Sequence, residues 1–416
     1  MNSFKVSIWI IVISILIGSF AIASAEEDVI KVGVMYSLTG TGAPTGKVQN
    51  EGALLAAKEV NEAGGITIGD KKYKVEAVVR DDETKPDVAV RRYREYIEEG
   101  ITTLVSGTFA HVSTAINEQA LDGSAFVMIT NSIEEAVFRK GNKAPFFLTS
   151  QGAVDAIGRM TSEYVIETFK PKYVIACLPD YAYGQGVGVG MKQVYEKHPE
   201  IKIEFIWTPV GTPDYTSYIL KIIESKPDVV QMGQWGTDGI EILKQAYELG
   251  LSKHTKIFYN AIVESIAAGI PPEALNGVAM GMWLYHDLSE IKEKDPETFE
   301  NAERIRAAFM KEYGEQPDVM AAYAYIGMKE TLRAIEVAQS TDPAKMYQAL
   351  MENPNFMSFK GPAYWRPDGR PFYKYAYFVG EGKGAEGRID KWDFAKITDF
   401  FETDVLCLPL SEMGYE

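Results

Sequence analysis

The side chains able to do chemistry are few and scattered. There are four histidines, His111, His198, His254 and His286, and two cysteines, Cys177 and Cys407. His286-Asp287 is the only adjacent histidine–carboxylate pair, but neighbouring side chains rarely converge on one ion, so no metal site is expected. His198 and His254 stand in polar turns and read as solvated. The zinc-protease pattern H-E-x-x-H, the nucleophile elbow G-x-S-x-G and the phosphate loop are absent. Gly184-Gln-Gly186-Val-Gly188-Val-Gly190 fails the dinucleotide fingerprint, because Val189 and Met191 stand where its third glycine would fall. These glycines are expected instead to allow a tight helix entry near a ligand or a second lobe. His111 lies beside Ser113 and Thr114, after a strand-like run ending Ser106-Gly107. Either Ser113 caps a helix there, or free N–H groups and hydroxyls at that helix start receive a carboxylate. No nucleophile, base and orienting group assemble, so the chain reads as a binder that needs no cofactor and is not an enzyme.

The elements that must position such a site alternate. Ile30–Tyr36 is a β-branched run suited to a strand buried on both faces. Ala53, Ala56, Ala57 and Val60 then form one helical stripe, ended by Gly64-Gly65. Further strands are predicted at 73–79, 102–106, 126–130, 173–178, 202–207, 228–232, 256–259 and 278–284, with helical patterns between most of them. Such an order predicts an α/β fold with parallel sheets. So many strands divide naturally into two lobes around a cleft, with ligand chemistry at the strand ends. Those ends are rich in Gly, Ser, Thr, Asn and aromatics and poor in clustered charge.

With 416 residues, 24% of them charged and a net charge of −16, the chain is globular and unsuited to nucleic acid. Residues 1–25 carry Lys5, an apolar run and Ala23-Ser24-Ala25, the three parts of a cleaved signal peptide, with an uncleaved anchor as the alternative. The working chain is therefore expected to be exported, in a periplasm or at the outer face of the cytoplasmic membrane. Cys177 and Cys407 are too few for a disulfide framework, and pairing or free thiols both remain open.

Val32-Gly-Val-Met-Tyr-Ser-Leu-Thr-Gly40, Gly52 to Ile66 with its Asn61–Gly65 turn, and Asp81-Asp82-Glu83-Thr84 resemble the leucine/isoleucine/valine-binding protein family. Asp180-Tyr-Ala-Tyr183-Gly184, Asp214–Ser217, Lys226–Val230 and Lys244–Gly250 extend the resemblance along the chain. It implies two Rossmann-like lobes of a type I periplasmic binding protein, joined by three crossovers near 149–152, 280–285 and 356–365. The lobes would comprise 26–150 plus 284–358 and 151–283 plus 359–416. It also implies a monomer that hands a small solute to the permease and ATPase subunits of an ABC importer. The site residues it implies are His111, Val112, Ser113, Thr114, Asn131 and Ser132 from one lobe, and Tyr183, Trp235 and Asn260 from the other. Tyr183 and Trp235 either close on ligand or simply pack the lobes. By family precedent the ligand is a branched-chain amino acid. Ala261 replaces a glutamate that pairs with the ammonium, and His111 replaces a serine, which opens an amide or aromatic carboxylate as the alternative. A sensory module of the same fold is the other alternative.

Overall fold

The computed structural model describes residues 28–402 and 408–415. The expected signal peptide and Cys407 lie outside them, while Cys177 is buried. The chain begins β1 (Val29–Tyr36), α1 (Ala43–Glu62), β2 (Ile66–Ile68), β3 (Lys71–Asp81), α2 (Pro86–Glu98), β4 (Thr103–Ser106), α3 (Ala110–Gln119), β5 (Phe126–Ile129) and β6 (Phe147–Thr149). These strands form one six-stranded sheet in the order β2-β3-β1-β4-β5-β6. Every residue of β4 and β5 is buried, as a strand covered on both faces requires.

After Thr149 the chain enters a second sheet. Its elements are α4 (Val154–Phe169), β7 (Tyr173–Pro179), α5 (Ala182–Tyr195), β8 (Lys202–Thr208), α6 (Thr216–Ser225), β9 (Val229–Met232), α7 (Thr237–Glu248), β10 (Lys256–Tyr259), α8 (Glu264–Ala267), α9 (Pro272–Leu275) and β11 (Ala279–Met282). The chain then returns through α10 (Pro296–Tyr313), α11 (Val319–Ala338) and α12 (Pro343–Glu352). Helix α11 packs along α1 so tightly that a Cβ on Gly52 would stand 2.0 Å from the Ala321 carbonyl oxygen. A three-stranded antiparallel sheet follows, β12 (Asn355–Ser358), β13 (Gly361–Trp365) and β14 (Pro371–Tyr373). Finally β15 (Tyr375–Gly382) and β16 (Ala395–Glu402) join the second sheet, whose order is β16-β15-β11-β10-β9-β7-β8.

Both sheets are parallel at their centres, as the alternation predicts, but each has one antiparallel edge. Strand β2 pairs antiparallel with β3, and β15 and β16 add an antiparallel edge to β11. Antiparallel neighbours need only a loop between them, so no helical pattern announces these strands.

The three crossovers meet around one lysine. The Tyr373 hydroxyl donates to the Ser150 carbonyl at 2.5 Å, and the Ser150 hydroxyl donates to the Tyr323 carbonyl at 3.0 Å. Lys360 Nζ donates to the Tyr323 hydroxyl at 3.0 Å and to the Ala376 carbonyl at 2.5 Å. The Trp283, Tyr323 and Tyr373 rings surround it, with centroids 5.7, 5.6 and 5.3 Å away. Burial holds the Lys360 pKa well below the ordinary lysine range, and the three rings offset part of the lost hydration of its charged form.

The glycine run in α5 is explained by packing. A Cβ on Gly190 would lie 1.9 Å from the Asp155 carbonyl oxygen, and one on Gly158 1.9 Å from that of Val187. Gly184 and Gly188 are likewise closed off by Pro179 and the Trp207 ring. The expected closeness is thus mainly to α4 and to the helix's own sheet. An exposed helical Gly→Ala change gains about 1 kcal/mol. Gly190→Ala should instead destabilise by ~1–3 kcal/mol in denaturant melts, because backbone cannot yield as a side chain does. A stabilised variant would contradict this packing.

Candidate functional site

The strand ends of both sheets converge on one small cavity with about 20 Å³ of free space, far below the roughly 300–1,000 Å³ of small-molecule pockets. From the first sheet, β4 ends in Gly107, whose φ of +105° is a left-handed conformation. A Cβ there would lie 2.4 Å from Asn131 Oδ1. This turn lets Thr108 and Ala110, at the start of α3, reach the cavity. Gln49 of α1 fixes the turn by donating to the Gly107 carbonyl at 2.7 Å. Asn131 and Ser132, just beyond β5, complete that wall. The Ser113 hydroxyl donates to Asn131 Oδ1 at 2.8 Å, and Asn131 Nδ2 donates to the Ser132 carbonyl at 3.1 Å.

From the second sheet, Tyr181 and Tyr183 follow β7 and Trp235 follows β9. Their rings form a series, with Tyr181–Tyr183 centroids 5.8 Å apart and Tyr183–Trp235 centroids 5.7 Å apart. Across the cleft Phe109 and His111 touch Tyr181, at 5.4 and 5.2 Å. Gln151 and Trp283, on two crossovers, and Met320 of α11 close the hinge side.

The cavity holds three buried polar groups with no partner: Ser132 Oγ, Tyr183 OH and Trp235 Nε1. Their residues are 7%, 6% and 7% exposed. Each such group costs about 1–3 kcal/mol unless something pairs with it. Burial pushes the Tyr183 phenol well above its ordinary range, so it keeps its proton and can donate. Among the described residues, no Asp, Glu, Lys, Arg or His lines the cavity. Ala110 presents the N-terminal turn of α3, where backbone N–H groups favour an anion.

Of the residues expected from sequence, Asn131, Ser132, Tyr183 and Trp235 come together on this lining. The other five do not. His111 stands one layer back among the rings, and burial lowers its pKa. Val112 is fully buried. Ser113 does not cap the helix, which starts after Phe109, but serves Asn131. The Thr114 hydroxyl is spent on the Ala110 carbonyl and the Glu134 carboxylate. Asn260 lies beneath the floor, accepting from Gln231 Nε2 at 3.2 Å and, at its carbonyl, from the Tyr377 hydroxyl. Sequence reasoning missed Thr108, Ala110, Gln151, Tyr181, Trp283 and Met320. Tyr181 shares the Asp180–Gly184 motif with Tyr183, and Gln151 and Trp283 fall within expected crossovers. Met320 gave no signal.

The lobes are closed on each other. Gly236, with φ of +62°, approaches the loop after β1, where Thr237 N donates to the Thr41 carbonyl at 3.5 Å. A Cβ on Gly236 would lie 2.4 Å from that oxygen.

Residues 29–385 match the family model described as a periplasmic binding protein. The chain belongs to this family. A Leu/Ile/Val-binding protein homolog from Brucella abortus is 25% identical over 368 residues, covering 88% of this chain and 94% of that relative. The solved ABC transporter solute-binding protein from R. palustris, in complex with benzoate, has a TM-score of 0.75 at 20% identity, covering 89% of this chain and 96% of that one. A branched-chain amino acid transporter substrate-binding protein from Streptococcus pneumoniae, in complex with isoleucine, has a TM-score of 0.73 at 18% identity, covering 89% and 99%. The last two share the type I periplasmic-binding-protein fold, two lobes with a cleft between them. Members of the family bind small molecules outside the cytoplasm and work with ABC permeases. Among the described residues no helix is long and apolar enough to cross a membrane. Nor does any group of three or more His, Cys, Asp or Glu there have the spacing to hold a metal ion.

Gly236→Ala should keep the lobes of this periplasmic binding protein apart. Small-angle scattering should give a larger radius of gyration than for the wild type, with unchanged circular dichroism. Equal radii would show that the Gly236–Thr41 approach does not govern closure.

Proposed function

We propose that this periplasmic binding protein captures a small solute between its lobes, as a monomer, and delivers it unaltered to the permease and ATPase subunits of an ABC importer. The observation that carries this reading is the cavity's set of three unpartnered buried groups, Ser132 Oγ, Tyr183 OH and Trp235 Nε1. Trp235 Nε1 can only donate and Tyr183 keeps its proton, so the solute must present acceptor atoms. Once it does, closure no longer strands these groups, and the ligand shifts the open–closed population toward closed.

The same lining favours a small aromatic carboxylate or amide over a branched-chain amino acid. No carboxylate stands in the cavity to pair with an α-ammonium, and a buried unpaired charge is costly. Ala261, where α-amino-acid binders of the family carry a glutamate, is fully buried and apolar. Tyr181, Tyr183, Trp235 and Trp283 offer flat apolar walls, and the α3 N-terminus suits an anionic head group. The R. palustris relative in complex with benzoate agrees with this choice, whereas the isoleucine complex and the Leu/Ile/Val-binding names support the amino-acid reading.

Thermal-shift screening of benzoate, benzamide and isoleucine separates the two. A ligand at 100 times its dissociation constant stabilises by about 2.7 kcal/mol. Benzoate or benzamide should raise the melting temperature more than isoleucine at equal concentration, and the reverse order would favour the amino acid. Tyr183→Ala and Trp235→Ala should each weaken binding of the best ligand by ~1–3 kcal/mol while the fold persists. Unchanged affinity in both variants would remove these residues from the site.

A further inference from the structure

A second inter-lobe contact lies away from the cavity, where α8 of one lobe meets the start of α11 of the other. The Ser265 backbone N–H donates to Asp318 Oδ2 at 2.5 Å, and the Val319 backbone N–H donates to Glu264 Oε2 at 3.2 Å. Each carboxylate therefore holds a main-chain group of the opposite lobe. Asp318 Oδ1 also caps α11 by accepting from Met320 N at 2.7 Å. Both side chains are buried, at 6% and 3% exposure, in the wall of an open groove between the lobes. We infer that Glu264 and Asp318 act as positioning residues that clasp the closed lobes and make closure depend on proton uptake. The inference rests on the capture-by-closure reading and adds a control to it.

The physical reason is that two carboxylates brought together out of water cannot both ionise freely. Glu264 Oε1 is buried with no hydrogen-bond partner, and His286 Nδ1, 3.7 Å away, is too far to bond it. Burial and the neighbouring Glu264 charge push Asp318 up to about 7. The Tyr285 phenol faces Glu264, and Glu315, Asp390, Arg388 and Lys391 stand around the groove, with Lys391 already paired to Glu315 at 3.0 Å.

The sign follows from linkage. In open, solvated lobes an aspartate titrates near ~4, so closing takes up a proton between that value and about 7. Closure is favoured as pH falls through 7 and changes little above it. The limit is tenfold in the closed-to-open ratio per pH unit.

The test is small-angle scattering of the ligand-free chain at pH 5 and pH 8, for the wild type, Glu264→Gln and Asp318→Asn. Glu264→Gln can still accept the Val319 N–H through its amide oxygen, whereas Asp318→Asn has a single acceptor oxygen and keeps either the Ser265 N–H or the helix cap. Between pH 5 and pH 8 the wild type should shift toward open lobes by roughly eighty-fold in population ratio. Asp318→Asn should lose this pH change, and Glu264→Gln should show a smaller one, since burial alone still raises Asp318. A wild-type radius independent of pH, or variants that keep the wild-type change, would overturn the clasp. In the second case the change would belong to other raised carboxyls such as Asp82 and Asp155, each pushed up to about 6 mainly by burial. Adding 10 mM benzoate or isoleucine separates the two ideas. Compaction by either compound with no pH effect leaves capture standing and rejects the clasp. A radius that neither pH nor compound changes rejects both.

Discussion

A buried hydrogen-bonding group without a partner is the constraint on which the rest depends. The closed lobes seal Ser132 Oγ, Tyr183 OH and Trp235 Nε1 in one cavity and leave all three unpaired. A few kcal/mol of unmet hydrogen bonding is comparable to the free-energy difference between open and closed lobes of a two-state protein. On the proposed reading, closure without a solute would leave these groups unpaired, and a solute with acceptor atoms would reverse the balance. Recognition and motion are then the same event.

The fold delivers this with ordinary parts. Parallel β4 and β5 place Thr108, Asn131 and Ser132 at their carboxyl ends, and β7 and β9 do the same for Tyr181, Tyr183 and Trp235. Gly107 in its left-handed turn lets α3 begin at the cavity, and Gln49 holds that turn from α1. Behind Trp283, Lys360 and its ring cage tie the crossovers into a rigid hinge. Closure is also limited by close backbone approach, at Gly236 against Thr41, and by paired carboxylates at Glu264 and Asp318. Contacts distant from the solute can therefore tune affinity without touching it.

Much of this was legible in the sequence because burial on both faces leaves an unbroken apolar signature. Thr103–Ser106 and Phe126–Ile129 are such runs, and reading them located the strand ends where Asn131 and Ser132 stand. Tyr183 and Trp235 came from the family resemblance, which places aromatics at the strand ends of the second lobe. The helix start at α3 was misjudged because Ser113 looks like a cap, yet its hydroxyl is drawn to Asn131, a partner 18 residues away that only the tertiary fold supplies. Trp283, Gln151 and Met320 reach the cavity from the hinge, where no periodicity distinguishes a lining residue from a packed one. The β15–β16 edge escaped notice for a related reason, since its pairing with β11 spans nearly a hundred residues, α10 to α12 and β12 to β14 among them, and such a distant partner leaves no local spacing to read.

The central claim is that the solute satisfies the stranded donors of the closed cavity. The most direct measurement is nuclear magnetic resonance of the tryptophan indole N–H groups, with the Trp235 signal assigned by its loss in Trp235→Phe. With saturating benzoate, the Trp235 indole proton should move downfield and exchange more slowly with water, as a newly formed hydrogen bond requires. Bound benzoate that leaves this proton's shift and exchange rate unchanged would contradict the account.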